Sequence, residues 1–125
     1  MRSPILKQNN VLIASVQGEL TDAELAQLRD YLVESVRRHR STGVIIDVTL
    51  LDVMDSYAAR TLRGITQMTH LLGATSVVAG IQPEVAFAMA QLGLRLTGTT
   101  TALDLEEALA LLADREQRER SRDGR

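Results

Sequence analysis

Three carboxylates, Asp47, Asp52 and Asp55, crowd one short stretch, and Ser56 follows the last of them. A serine beside acids has three chemical uses: nucleophile, phosphoacceptor or helix cap. A nucleophile needs a base within hydrogen-bond reach, and the chain holds two histidines, His39 and His70. His70 lies about four turns further along the same helical pattern, roughly 20 Å away at 1.5 Å per residue. His39 sits among Arg37, Arg38 and Arg40, where a surface position suits it. No G-x-S-x-G elbow surrounds Ser56. A hydrolase at Ser56 is therefore the weakest of the three readings. A phospho-aspartate receiver centred on Asp47 lacks its acidic partners and its lysine, because the chain's one lysine is Lys7. Asp47 reads better as an acceptor for loop amides. Neither G-x-x-x-x-G-K nor G-x-G-x-x-G occurs, so no nucleotide cradle is encoded. Asp is a preferred N-cap and Ser is tolerated in a first turn, so Asp55-Ser56 reads as a helix start. A phosphoryl group at that place would meet free amides and the positive end of the dipole, beside the repelling Asp52 and Asp55. On the residues alone, capping and phosphoacceptor roles both stand.

The elements that position this serine are legible around it. Val44, Ile45, Ile46 and Val48 form a β-branched run, read as a strand buried on both faces, with Asp47 near its end. Leu50 to Met54 read as a connecting loop. Ala58, Leu62, Ile65, Met68 or Thr69, and Leu72 then recur at helical spacing as an inner face. Tyr57, Arg60, Arg63, Gln67 and His70 fall outside it, and Gly73 ends the helix. Ser56 thus lies just beyond the carboxyl end of a buried strand, where functional loops of α/β proteins gather.

The rest of the chain repeats the alternation. Met1 to Asn10, with Pro4 and Ile5-Leu6, reads as a short edge strand. Val11 to Val16 is a strand, and Gly18 allows a bend. Thr21 with Glu24 makes a capping box for a helix whose stripe is Leu25, Leu28, Leu32 and Val36, with a cationic carboxyl end. Gly43 stops the connection to the next strand. Ser76 to Gly80 is a further buried strand, parallel to its predecessor by the crossover rule. Pro83, after Gln82, starts a third helix with Val85, Ala88, Met89 and Leu92 inside and Gly93 at its close. A short last strand falls within Leu94 to Thr101. Asp104 and Glu107 cap a final helix lined by Leu105, Ala108, Leu109 and Leu112. Residues 1–113 form one domain, and the charged stretch 114–125 is expected to fray or be disordered. The fold class is α/β: four or five strands, mainly parallel apart from the amino-terminal region, and about four helices.

Composition bounds the function. The 125 residues carry 45% hydrophobic and 24% charged side chains and a net charge of -2. Aromatics at 2% leave nothing to stack bases on, and no global basic field calls for nucleic acid. No cysteine is present, which excludes disulfides and thiolate metal sites. No run of about 20 apolar residues and no signal peptide is seen, so no membrane partner and a cytoplasmic location are expected. Neither cofactor nor metal is expected.

DVTLLDVMDSYAARTL, Asp47 to Leu62, resembles the hallmark of the STAS domain, the family of anti-sigma factor antagonists: strand–D-(L/V/I)-(S/T)-x-(L/V)-x-x-(M/I/F)-D-(S/T)–helix. Asp47, Thr49, Asp52, Asp55 and Ser56 match in order. The resemblance extends to PILK at Pro4 to Lys7, IQP at Ile81 to Pro83 and TALDLEEAL at Thr101 to Leu109, which are similar to the stressosome branch. It implies a non-enzymatic scaffold that sequesters a serine/threonine switch kinase and releases it when Ser56 is phosphorylated, in a stress-response pathway. It also implies a paralogous STAS sensor-scaffold protein, a phosphatase that resets Ser56, and a homo- or hetero-oligomeric shell. Asp52, Asp55, Tyr57, Arg60, Gln82 and Pro83 are the expected kinase- or partner-binding residues, exposed around Ser56 with Tyr57 as anchor. Tyr57-Ala58 departs from the Ser-Gly common in free antagonists. A soluble antagonist that binds an anti-sigma kinase directly is the alternative within the family.

Overall fold

The computed structural model describes residues 5–123. The edge-strand reading of the amino terminus thus concerns Ile5 onward, since 1–4 lie outside the described residues, as do 124–125 of the tail. Strands β1 (Ile5–Gln8), β2 (Val11–Gly18), β3 (Gly43–Leu51), β4 (Thr75–Ala79) and β5 (Thr100–Ala102) form one sheet in chain order. The first pair is antiparallel and the other three are parallel. Helices α1 (Asp22–His39), α2 (Ser56–Leu71), α3 (Pro83–Leu92) and α4 (Leu105–Asp123) connect and follow them. This is the expected mixed α/β architecture.

Strand alternation divides the core in two. Leu12, Ala14, Val44, Ile46 and Val78 face α1 and α2, which contribute Leu25, Leu28, Leu32, Val36, Ala58, Leu62 and Ile65. Ile13, Ile45, Val77 and Ala79 face the other way, onto Ala108 and Leu112 of α4. Each of the central strands is therefore covered on both sides, which explains its near-continuous apolar run.

Local signals account for the helix ends. Thr21 accepts from the Glu24 amide at 3.1 Å while the Glu24 carboxylate accepts from the Thr21 amide at 2.9 Å, a reciprocal capping box. Asp104 accepts from the Glu107 amide at 2.8 Å. Gly93 closes α3 in the left-handed region at φ 69°. In α2 the ambiguity between Met68 and Thr69 resolves toward Thr69, which is fully buried and shares a 2.6 Å hydroxyl contact with Ser76 of β4.

Five readings are corrected. Leu50 and Leu51 belong to β3 and not to a loop, because one extra residue in β3 between Asp47 and Leu50, opposite the Ser15-to-Gln17 step of β2, shifts the register and lets pairing resume at Leu50 and Leu51. Gly43 is the first residue of β3, and its small size serves packing: a Cβ there would stand 2.9 Å from Leu112 Cδ1 of α4. Leu72 is the exposed cap residue of α2 and not part of its inner face. In α3 only Val85 and Met89 are buried; Ala88 and Leu92 are exposed, because α3 meets the core through Val85 and Met89. The stretch from Asp114 continues α4 as helix to Asp123, supported by the i,i+4 pairs Asp114–Arg118 at 3.2 Å and Glu116–Arg120 at 2.9 Å.

Candidate functional site

Three segments converge beyond the carboxyl ends of β2, β3 and β4. The first is the end of β3 with its loop. Asp47 turns its carboxylate along its own strand, accepting from the Thr49 amide at 3.0 Å and the Thr49 hydroxyl at 2.6 Å. Asp47 thus accepts from a nearby backbone amide as expected, on its own strand and not in the loop. Thr49 in turn lies against Gly80, which adopts φ +84° at the end of β4; a Cβ there would meet the Thr49 side chain and stand 3.3 Å from its Cα. Glycine is thus required twice over at position 80, by conformation and by space.

The second segment is Asp52 to Ser56. The Asp52 amide donates to the Gly18 carbonyl at 3.0 Å, holding the loop to the end of β2. Leu51 and Met54 turn into the core while Leu50 and Val53 stay 57% and 44% exposed. Asp55 is the N-cap of α2, accepting from the Ala58 amide at 2.8 Å. Ser56 is therefore the first helical residue, where the amides of Ser56 and Tyr57 have no intrahelical acceptor. Its side chain is exposed, and no described residue hydrogen-bonds its hydroxyl. Arg60 is exposed one turn on, at the i,i+4 position that shares a helix face with Ser56. His70, in the last turn of α2, is far from Ser56 along the helix axis, as the spacing requires.

The third segment is the start of α3. The Gln82 side-chain amide donates to the Thr49 carbonyl at 2.7 Å, and Pro83 occupies the first turn. This bond ties the Gln82-Pro83 corner to the strand end from which the Ser56 loop departs. The structure thus brings Asp52, Asp55, Ser56, Arg60, Gln82 and Pro83 to one end of the sheet. Asp52, Asp55, Arg60 and Pro83 are exposed and Gln82 is half-buried.

Tyr57 differs from expectation. It is half-buried and packs against the larger core instead of standing free. A chain this poor in aromatics uses the ring's apolar body as filler between helices. Sequence reasoning missed Leu50 and Val53. The exposure of Leu50 depends on where β3 ends. Among the described residues no group of three or more His, Asp or Glu could hold a metal ion, and no helix is long and apolar enough to cross a membrane.

Comparison with known proteins places this geometry in context. Residues 3–108 match the STAS domain family. A Ser-to-Glu variant of RsbS from Moorella thermoacetica is 32% identical, superposes with a TM-score of 0.80 and is matched over 94% of this chain and 99% of its own. A chain of the solved stressosome, a signal integration and transduction hub, is 30% identical at a TM-score of 0.73, over 90% of this chain and 98% of its own. The RsbT co-antagonist protein RsbRA of Bacillus subtilis is 28% identical over 100 residues, which is 80% of this chain but 36% of the relative. The chain thus spans little more than a third of that curated relative's length.

Proposed function

This chain belongs to the STAS domain family, and from that premise we propose that it is a stressosome scaffold subunit whose Ser56 is a phosphorylation switch for a partner kinase. The observation that carries the reading is the state of Ser56: exposed, first in its helix, its hydroxyl unengaged, with two open amides and Arg60 beside it. Such a place accepts a phosphoryl group without refolding. The flanking surface suits a protein partner, because Leu50 and Val53 expose apolar area on the same strand end and loop that carry Asp52 and Asp55. Asp52, Asp55, Arg60, Gln82 and Pro83 would line that contact, and Tyr57 would support it from beneath.

Likeness to RsbS and to a stressosome chain supports assembly with a paralogous, RsbR-like STAS protein carrying sensor modules. The partner kinase is then RsbT-like, held by the shell and set free by phosphorylation, with a phosphatase to reset Ser56. No step asks this chain to catalyse anything, and the scaffold works in the cytoplasm. The test is assembly: the chain is mixed with an RsbR-like paralogue and sized by light scattering. A megadalton particle containing both is expected; a persistent monomer or dimer would point to a free antagonist and overturn the scaffold reading.

A further inference from the structure

The opposite end of the sheet holds a second feature that the scaffold reading does not use. Where β4 and β5 begin, a cleft of about 280 Å³ opens between the last turns of α2, the loop before β5 and the middle of α4. Arg63, Gln67 and His70 come from α2, Thr75 from β4, Thr97 from the loop and Arg115 from α4. None of the residues lining it is a carboxylate.

The two arginines are placed unlike most others on the helices. Arg29, Arg37, Arg118 and Arg120 each pair with an acid on their own helix. Arg63 instead donates to the Arg95 carbonyl, bracing the loop before β5, and Arg115 donates to the Thr75 hydroxyl at 3.5 Å. Neither forms an ion pair with a described acid, although they come from elements on opposite faces of the sheet. The α2 carboxyl end would repel an anion, but three of its last four carbonyls are already taken: Met68, Thr69 and His70 accept from the amides of Leu72, Gly73 and Ala74. The wall therefore presents donors: two guanidiniums, the Gln67 amide, the imidazole and threonine hydroxyls.

We infer that this cleft is a binding site for a small phosphate-bearing anion, either inorganic phosphate or the phosphoryl end of a metabolite. Guanidinium forks and hydroxyls match the tetrahedral oxygens of that group, and charge-assisted hydrogen bonds of this kind are the strong ones. The site is independent of the Ser56 reading, since it lies at the other end of the parallel strands.

The test titrates the full chain in phosphate-free buffer with inorganic phosphate, with glycerol 3-phosphate, and with chloride at matched ionic strength, following amide NMR shifts. Saturable shifts at Thr75, Gly98 and Thr100 are expected with the phosphates and not with chloride. A tighter response to glycerol 3-phosphate identifies a metabolite as the source; equal responses identify free phosphate. Arg115→Gln, on an exposed helix face, should weaken binding about tenfold or more. Gln67→Glu, which adds a carboxylate to the wall at nearly constant shape, should abolish it. Shifts that chloride reproduces, or undiminished binding by both folded variants, would overturn the site.

Discussion

Replacing Ser56 and Asp55 separately distinguishes a switch from a cap, because the structure assigns the two residues different local work. Asp55 carries the N-cap bond to the Ala58 amide at 2.8 Å. Its loss in Asp55→Ala should cost about 1 kcal/mol, within a range of roughly 0.5–2. For a domain of this size that lowers Tm by about 3–6 °C. Ser56 makes no such bond, so Ser56→Ala should stay within about 0.5 kcal/mol of the parent. Phosphate on Ser56 adds a charge of about -1.5 to -2. At the helix start the dipole returns about 0.3–1 kcal/mol and Arg60 at i+4 about 0.2–0.5, which offsets repulsion from exposed Asp52 and Asp55. The fold should therefore survive the modification. A partner seated on Leu50 and Val53 should not, since an unpaired charge desolvated in an interface costs several kcal/mol. The assay incubates parent, Ser56→Ala, Ser56→Asp and Asp55→Ala with an RsbT-like kinase and Mg-ATP, reading phosphate by intact mass and kinase retention by pull-down. Ser56→Ala should take no phosphate and keep the kinase; Ser56→Asp should release it in part; Asp55→Ala should still be phosphorylated. Wild-type phosphate incorporation into Ser56→Ala would refute the reasoning, and a Tm loss in Ser56→Ala larger than in Asp55→Ala would refute the division of roles.

Two further outcomes test the frame around the site. Gly43→Ala should destabilise by about 1–3 kcal/mol by overpacking against Leu112 Cδ1, 2.9 Å from the new methyl, and Leu112→Val in the same chain should recover part of the loss in denaturant unfolding. The Glu24 carboxyl is held below its ordinary 4.5 chiefly by the Thr21 backbone amide and then by the Thr21 side chain. Its folded pKa is depressed, so its contribution is complete at neutral pH and is lost as pH falls through the folded value. An NMR titration should place the Glu24 midpoint below 4.5, and Thr21→Ala should move it upward; a midpoint at or above 4.5 in the parent would contradict the capping geometry.

The amino-acid sequence by itself determined the order and type of the elements, because the signals that specify them are local. Apolar runs such as Val44 to Val48, the stripe Leu25, Leu28, Leu32 and Val36, and the caps at Thr21, Asp55 and Asp104 depend only on neighbours within a turn or two. The place of Ser56 at a helix start, after a buried strand, was legible for the same reason. Tertiary structure alone decided matters that depend on what another element covers. The end of β3 moved to Leu51 because its pairing with β2 resumes past a bulge in β3, and α3 left Ala88 and Leu92 exposed because it meets the core through Val85 and Met89. Tyr57 turned from a free anchor into half-buried filler between helices, and Gly43 and Gly80 answered to Leu112 and Thr49, far off in the chain. The meeting of Arg63 with Arg115 is the clearest case: each reads singly as an ordinary surface cation, and only the packing of α2 and α4 about the ends of β4 and β5 sets them on one cleft. Burial and long-range contact are properties of pairs of elements, and a one-dimensional pattern carries only one member of each pair.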